Sequence, residues 1–309
     1  MSKTEEFLTS EGLPTADQAE TDASSVRFAD GGHFRVEIPS TEGPDALEAV
    51  IDEARRRRVP IHRVSQGSGI MLQTDEELVR LKELGDANGI EVSLFTGPRA
   101  SWDIGAQVAS PSGRAIAGSL RGASQLVYGI EDVAHACELG LRSVLVSDLG
   151  QLWAMGKMKV TGDLPPDLVL KVSVALPVAN PATARVLEDL GATTLNLPVD
   201  LSVSQIAAIR RAVQCPLDIY VEGPDDFGSP VRYYEIPDIV RAAAPVYLKF
   251  TVRNSAGLYP SGGHLRSLAL DTARERVRRA EIGLSMLNRY MPEAVPSPVP
   301  GAAGTAIVT

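Results

Sequence analysis

The sequence predicts a single (β/α)8 barrel of the TIM type, an α/β fold, and three observations point there. Eight short segments of alternating apolar and polar residues are interleaved with segments whose apolar residues recur at helical spacing. Two of the strand segments, 217–222 and 247–253, carry one apolar and one strongly polar face. In the first, Leu217, Ile219 and Val221 alternate with Asp218, Tyr220 and Glu222; in the second, Leu248, Phe250 and Val252 alternate with Tyr247, Lys249, Thr251 and Arg253. A charged strand face cannot sit under a second helix layer, and closing the sheet around it is the simplest remedy. The rival open sheet needs near-continuously apolar strands and a glycine-rich turn after the first of them, and the chain has neither.

Each element follows from its local pattern. Residues 1–32, rich in Ser, Thr, Glu, Asp and Ala, read as a flexible leader; 33–291 is the barrel, and the Pro, Ala and Gly of 292–309 read as a disordered tail. The first strand, 34–39, sets Phe34, Val36 and Ile38 against Arg35 and Glu37. Leu47, Val50, Ile51 and Ala54 make 44–58 helical, and the four arginines at 55–58 suit a helix C-terminus. A second strand, 60–64, runs into the turn SQGSG at 65–69. Thr74 and Glu77 form a capping box for the next helix. The third strand is 91–95. The long stretch 96–128 that follows, with GPRASW at 97–102, is expected to be a lid.

A helix at 130–139 leads to the fourth strand, 143–147, and Asp148 opens another helix. The fifth strand, 168–174, carries Lys171 and Ser173 on one face; the helix 180–190 and the sixth strand, 193–197, with Thr194 and Asn196, come next. The helix 202–213 precedes the two charged strands. Between those strands 236–243 is helical, with Pro237 in the first turn, where proline is tolerated. The helix 268–290 closes the barrel.

The 309 residues leave room for the roughly 250 of such a barrel. A net charge of −9 argues against non-specific nucleic-acid binding. Two cysteines, Cys137 and Cys215, build neither a disulfide framework nor a four-thiolate cluster. No apolar run approaches the roughly 20 residues of a membrane span, and the acidic N-terminus lacks a hydrophobic signal core, so the expected location is cytoplasmic. No Ser-His-Asp, HExxH or Walker pattern is present.

In a barrel, chemistry sits at the C-terminal ends of the strands. Glu37, Arg63, Asn196, Glu222 and Arg253 are expected near those ends, with Lys171, Tyr220, Lys249 and Thr251 a layer deeper. Enclosed charges must pair, either as a filled ionic core or as a site where mutually perturbing groups collect. Lys171 or Lys249 forms a Schiff base if burial or a second cation depresses its pKa. The alternative is a salt bridge to Glu222 or Glu37. His62, His264, Glu37 and Glu222 lack metal-ligand spacing, but a divalent metal on them stays open.

Three segments carry a resemblance: GIEDVAHACELGLRSVLVSDLG at 129–150, NPATARVLEDLGATTLNLPVDLSVSQIAAI at 180–209, and LDIYVEG at 217–223. Over about 128–253 the chain resembles the collagenase-like peptidase family of unassigned catalytic type, peptidase family U-32. The resemblance implies a barrel enzyme and puts Glu222 near the start of the family signature. That signature carries cysteines, and several members use four to hold an iron–sulfur cluster. Here EGPDDFGSPVRYYEIP has none, so no cluster is expected, and hydroxylation and RNA modification are not carried over.

The expectation is a peptidase-like hydrolase, or a lyase, for a small or peptide-like anionic substrate. Glu37, Arg63, Asn196 and Arg253 would bind it. Glu222 and Lys249, as a coupled pair, would supply acid–base chemistry, with Lys171 as a further catalytic candidate. The alternatives are a lysine-dependent aldolase and a non-catalytic barrel that binds a partner protein. Nucleic acid and membrane are not expected partners, and assembly into homo- or hetero-oligomers stays open.

Overall fold

Because side chains alternate across a strand, the apolar half of each strand faces the helices and the polar half faces inward. The computed structural model, which describes residues 2–18, 22–102, 106–225 and 228–299, shows the sheet closed. Its strands are β1 (Phe34–Pro39), β2 (Arg63–Gln66), β3 (Glu91–Phe95), β4 (Ser143–Val146), β5 (Val169–Val172), β6 (Thr194–Asn196), β7 (Leu217–Glu222) and β8 (Val246–Phe250). They run parallel in chain order, and β1 pairs with both β2 and β8. The outward residues Val36, Ile38, Leu94, Leu170, Leu195, Ile219, Leu248 and Phe250 are buried against the helix layer.

In chain order the helices are α1 (Lys3–Ser10), α2 (Pro44–Arg57), α3 (Asp75–Asn88), α4 (Ala106–Ala109), α5 (Gly122–Glu138) and α6 (Leu149–Thr161). They continue with α7 (Pro181–Asp189), α8 (Val203–Ala212), α9 (Ile236–Ala243) and α10 (Arg266–Tyr290). The capping box of Thr74 and Glu77 opens α3, and Asp148 caps α6 by accepting from Gln151 N at 2.8 Å. The arginine run ends α2, where Arg56 and Arg57 pair with Glu53 and Arg57 also reaches Glu281 at 2.6 Å. Local charge pairing therefore accounts for Arg56 and Arg57 without a phosphate. No helix among the described residues is long and apolar enough to cross a membrane.

Among the boundaries that differ from the sequence expectation, two bear on the site. Strand β2 begins at Arg63 rather than 60, because Pro60 has no N–H to give the ladder and the register pairs Glu37 with Arg63. Helix α5 begins at Gly122, which shortens the expected lid. Ser147 Oγ donates to Gly118 O at 2.5 Å and Leu120 N donates to Asp148 Oδ2 at 3.0 Å, so this segment rests on the C-terminal end of β4. Residues 103–105 of that stretch lie outside the described residues.

The other end of the barrel is closed by segments expected as leader and tail. Phe28 packs edge-on against Tyr247, with ring centroids 5.4 Å apart. His33 N donates to Val295 O at 2.7 Å, and Ser297 N donates to Phe34 O at 3.0 Å. His62 Nδ1 accepts from Val36 N at 3.0 Å, which leaves Nε2–H to donate to Ser297 O at 2.8 Å. Burial pushes that imidazole down to about 4, so it stays neutral at pH 7. Residues 292–299 thus continue against the barrel; 300–309 of the expected tail lie outside the described residues.

Candidate functional site

Parallel register sets six charged side chains around one level of the lumen. Glu37 faces Arg63 on one side and Lys249 on the other, and Lys171, Asp218 and Glu91 complete the ring. Three carboxylates meet three cations, as a closed, water-poor space requires. Glu37 is fully buried and central. Its Oε1 accepts from Lys171 Nζ, accepts from Ser65 Oγ at 2.7 Å and lies 3.4 Å from Lys249 Nζ, while its Oε2 lies 3.5 Å from Arg63 Nη1. Asp218 accepts from Thr194 Oγ1 at 3.0 Å and lies 3.3 Å from both Arg63 and Lys171. Glu91 takes Arg63 in a fork, at 2.9 and 3.1 Å, and accepts from Ser143 Oγ at 2.7 Å.

The electrostatics follow from that packing. Desolvation pushes the Glu37 carboxyl up, but Lys171, Lys249 and Arg63 together outweigh it and hold the group well below the usual carboxylate range. For Lys171 the balance runs the other way. Desolvation is the largest influence, Lys249 and Arg63 add to it, and the pull of Glu37 and Asp218 is insufficient, so its proton affinity is lowered. Lys249 is more loosely held. Its ammonium lies 4.2 Å from the centre of the Tyr220 ring, a cation–π contact. The Asn196 amide, oriented to satisfy both of its ends, presents its oxygen to Lys249 Nζ at 2.8 Å and donates to Asp218 O at 3.3 Å.

Lys171, Lys249, Glu37, Asn196 and Arg63 are therefore brought together. Arg63 is a deeper member than expected, since it opens β2 instead of ending it. Glu222 and Arg253 stand apart. A register shift between Tyr220 and Glu222 sets Glu222 opposite Phe250, an outward residue, rather than on the lumen face with Lys249. Glu222 accepts from Tyr233 Oη at 2.6 Å and from Arg253 N at 2.9 Å, and lies 3.7 Å from Arg279 of α10. It forms no ion pair with Lys249, so the expected coupled pair is replaced by Glu37 and Lys249. Arg253 is half-exposed and pairs with Asp225 at 2.7 Å. His62 lies at the opposite end of the barrel from Glu222, Glu37 is in the lumen, and His264 follows β8 in the loop before α10, so these four form no common metal-ligand set. Asp218 and Glu91 were not anticipated as site members. The signal for Asp218 was its place on the polar face of 217–222; for Glu91 it was a carboxylate sharing the polar face of its strand with Ser93.

Residues 123–225 match the model of peptidase family U32. They span α5 through the end of β7 and so include Lys171, Asn196 and Asp218, but not Glu37, Arg63 or Lys249. No curated protein matches the chain. Among solved structures the chain is similar to a U32 peptidase at 16% identity and TM-score 0.43, with 76% of this chain and 96% of that one covered. A protein proposed to act in copper homeostasis, CutC from Streptococcus agalactiae, aligns at 14% identity and TM-score 0.45, over 70% and 98% of the two chains. A nitroalkane oxidase from Streptomyces ansochromogenes aligns at 16% identity and TM-score 0.40, over 69% and 64%. Likenesses this distant leave substrate and chemistry to the site itself. Over residues 123–225, then, the chain is similar to peptidase family U32.

Proposed function

We propose that this barrel is an enzyme acting on a small or peptide-like anionic substrate at the C-terminal mouth, with Lys249 as the group that moves a proton. The observation behind this reading is the unequal hold on the two lumen lysines. Lys171 is bound by Glu37 and Asp218 together, whereas Lys249 shares a single, longer contact with an oxygen that Lys171 already occupies. An ammonium held by an amide oxygen and a ring face can turn to an incoming anionic group without leaving a carboxylate bare. Asn196 and Tyr220 orient it, and Glu37 with Lys171 fixes the ring beside it.

The test is turnover of a panel of acidic dipeptides and small carboxylate-bearing amides, followed by mass spectrometry. Lys249→Met is expected to lower kcat on any substrate found by roughly 10²–10⁴-fold, while Lys249→Arg keeps the fold and part of the binding. Wild-type turnover in Lys249→Met would remove Lys249 from the mechanism.

The lowered proton affinity of Lys171 favours a second reading, a lysine-dependent lyase. There the neutral amine attacks a substrate carbonyl carbon and the carbonyl oxygen leaves as water, giving an iminium. Borohydride reduction in the presence of pyruvate would then label wild type and Lys249→Arg but not Lys171→Arg. No label in any of the three would end that reading.

A further inference from the structure

We propose that Arg276 anchors an oxyanion subsite at the barrel mouth, taking a carboxylate or phosphate group of the ligand. Helix α10 turns a stripe of small and apolar residues toward the barrel: Ala269, Ala273, Val277, Ala280, Gly283 and Leu287. Arg276 lies in that buried stripe and is only 2% exposed. It reaches over the C-terminal end of β1, where Nη1 donates to Ser40 O at 2.9 Å. Ser40 itself holds a φ of 57°, a conformation unusual for a residue with a side chain. Its hydroxyl bonds Tyr259 Oη, from the loop that follows β8. Tyr220, whose ring carries Lys249, is among the groups close enough to act on the Arg276 charge. The guanidinium therefore stands where the first and last strands meet above the lumen lysines.

What marks it out, among the described residues, is that its charge lacks a directly paired carboxylate. Among the described residues no carboxylate lies within ion-pair distance of Arg276, and its buried Nε has no hydrogen-bond partner. Glu42 is the nearest candidate by its electrostatic influence, but both of its oxygens are engaged elsewhere. Oε1 accepts from Gly67 N at 2.7 Å; Oε2 accepts from Ser68 N at 3.2 Å and from Ser68 Oγ at 2.5 Å. Burial also raises the proton affinity of that carboxyl, which weakens it further as a counter-ion. Arg99, another buried arginine on this side, shares the unpartnered Nε, but its Nη2 and the faces of its guanidinium are engaged. It donates to Gly67 O and Ser68 O and lies between the rings of Phe95 and Trp102, 3.8 Å from each centre. An unpaired buried guanidinium is costly to hold, and its planar fork matches an oxyanion bidentately. An arriving carboxylate or phosphate would supply the missing charge.

This subsite rests on the enzyme reading only for where the substrate lies, and its test needs no turnover. Calorimetric titration of the full chain with inorganic phosphate, and separately with malonate, should show binding of at least one of them. Arg276→Met should weaken that binding on the order of ten- to hundredfold, the loss of one or two charge-assisted hydrogen bonds. Arg276→Lys, which keeps the charge but loses the fork, should fall between, and it carries the test if Arg276→Met fails to fold. Without anion, Arg276→Met should melt no lower than wild type, since apolar packing replaces an uncompensated charge. Lys249→Met should keep the anion response. The anion that binds more tightly names the ligand group. Equal binding in wild type and Arg276→Met, or in wild type and Arg276→Lys if Arg276→Met does not fold, would overturn the proposal. So would no response of wild type to either anion. If Arg276→Met loses the anion while Lys249→Met keeps full turnover, the subsite stands and the role of Lys249 falls.

Discussion

Glu37→Gln is expected to destabilise the protein by about 3–5 kcal/mol, the usual consequence of removing one partner from a buried ion cluster. The glutamine has nearly the same shape, so the loss is electrostatic rather than a cavity. Three cations, Lys171, Lys249 and Arg63, converge on this one carboxylate, and Asp218 and Glu91 are already engaged by Thr194, Ser143 and Arg63. Chemical denaturation at pH 7 measures the loss. Lys171→Met alone should also destabilise, because Glu37 would then keep only the Ser65 hydroxyl and its longer contacts to cations. The double variant should lose less than the sum of the two, by an interaction energy of roughly 0.5–3 kcal/mol. The pH dependence has a definite sign. The folded pKa of Glu37 lies below the ordinary value of 4.5, so its stabilisation is present above that pH and fades as pH falls further. Glu37→Gln should therefore flatten the acid limb of the stability profile. Strictly additive losses would show that Glu37 and Lys171 do not share a proton-dependent contact.

Phe250→Ala is expected to cost about 3–5 kcal/mol, as large core truncations do. The reason it matters for function lies in strand alternation. Phe250 points outward beside Lys249, which points inward, and its ring fills the space left by a glycine on α10. A Cβ at Gly283 would lie 2.4 Å from Phe250 Cε1 and 2.7 Å from Cζ, so helix and strand approach closely there. Tyr233, which holds Glu222, packs beside the same ring with centroids 6.3 Å apart. Removing the ring loosens the seat of α10 and with it Arg276, two turns earlier on the same helix. Denaturant unfolding and phosphate titration of one sample test both consequences: lower stability and weaker anion binding in the molecules that remain folded. Full anion affinity in Phe250→Ala would mean that Arg276 is positioned independently of this contact.

The barrel was legible because its evidence is local and repeated: eight alternating segments, their helices and caps, and two strands with faces too polar for anything but a lumen. The lumen lysines and Glu37 followed from alternation alone. Glu222 did not, because a single register shift in β7 sends it outward, and nothing in the alternating run 217–222 announces where a bulge falls. Arg63 was placed too near the mouth because an apolar run beginning at Pro60 does not show which residue makes the first ladder bond. Arg276 carried a readable signal, an arginine within the buried stripe of the closing helix. Only the packed structure shows that no carboxylate among the described residues pairs with it. Residues 292–299 have the composition of a tail, and the bonds that hold them come from His62 and the backbone of β1, far away in sequence.

The expected state of Lys171 in the lumen is a lowered proton affinity with its charge upheld by Glu37. It is tested most directly by titrating the lysine side chains by carbon-13 NMR at Cε. Lys171→Arg and Lys249→Arg assign the two buried resonances. The Lys171 resonance should titrate below the surface lysines, and lower still in Glu37→Gln, where the carboxylate that favours its charged form is gone. A Lys171 resonance that titrates with the surface lysines, and does not move when Glu37 is replaced, would contradict it.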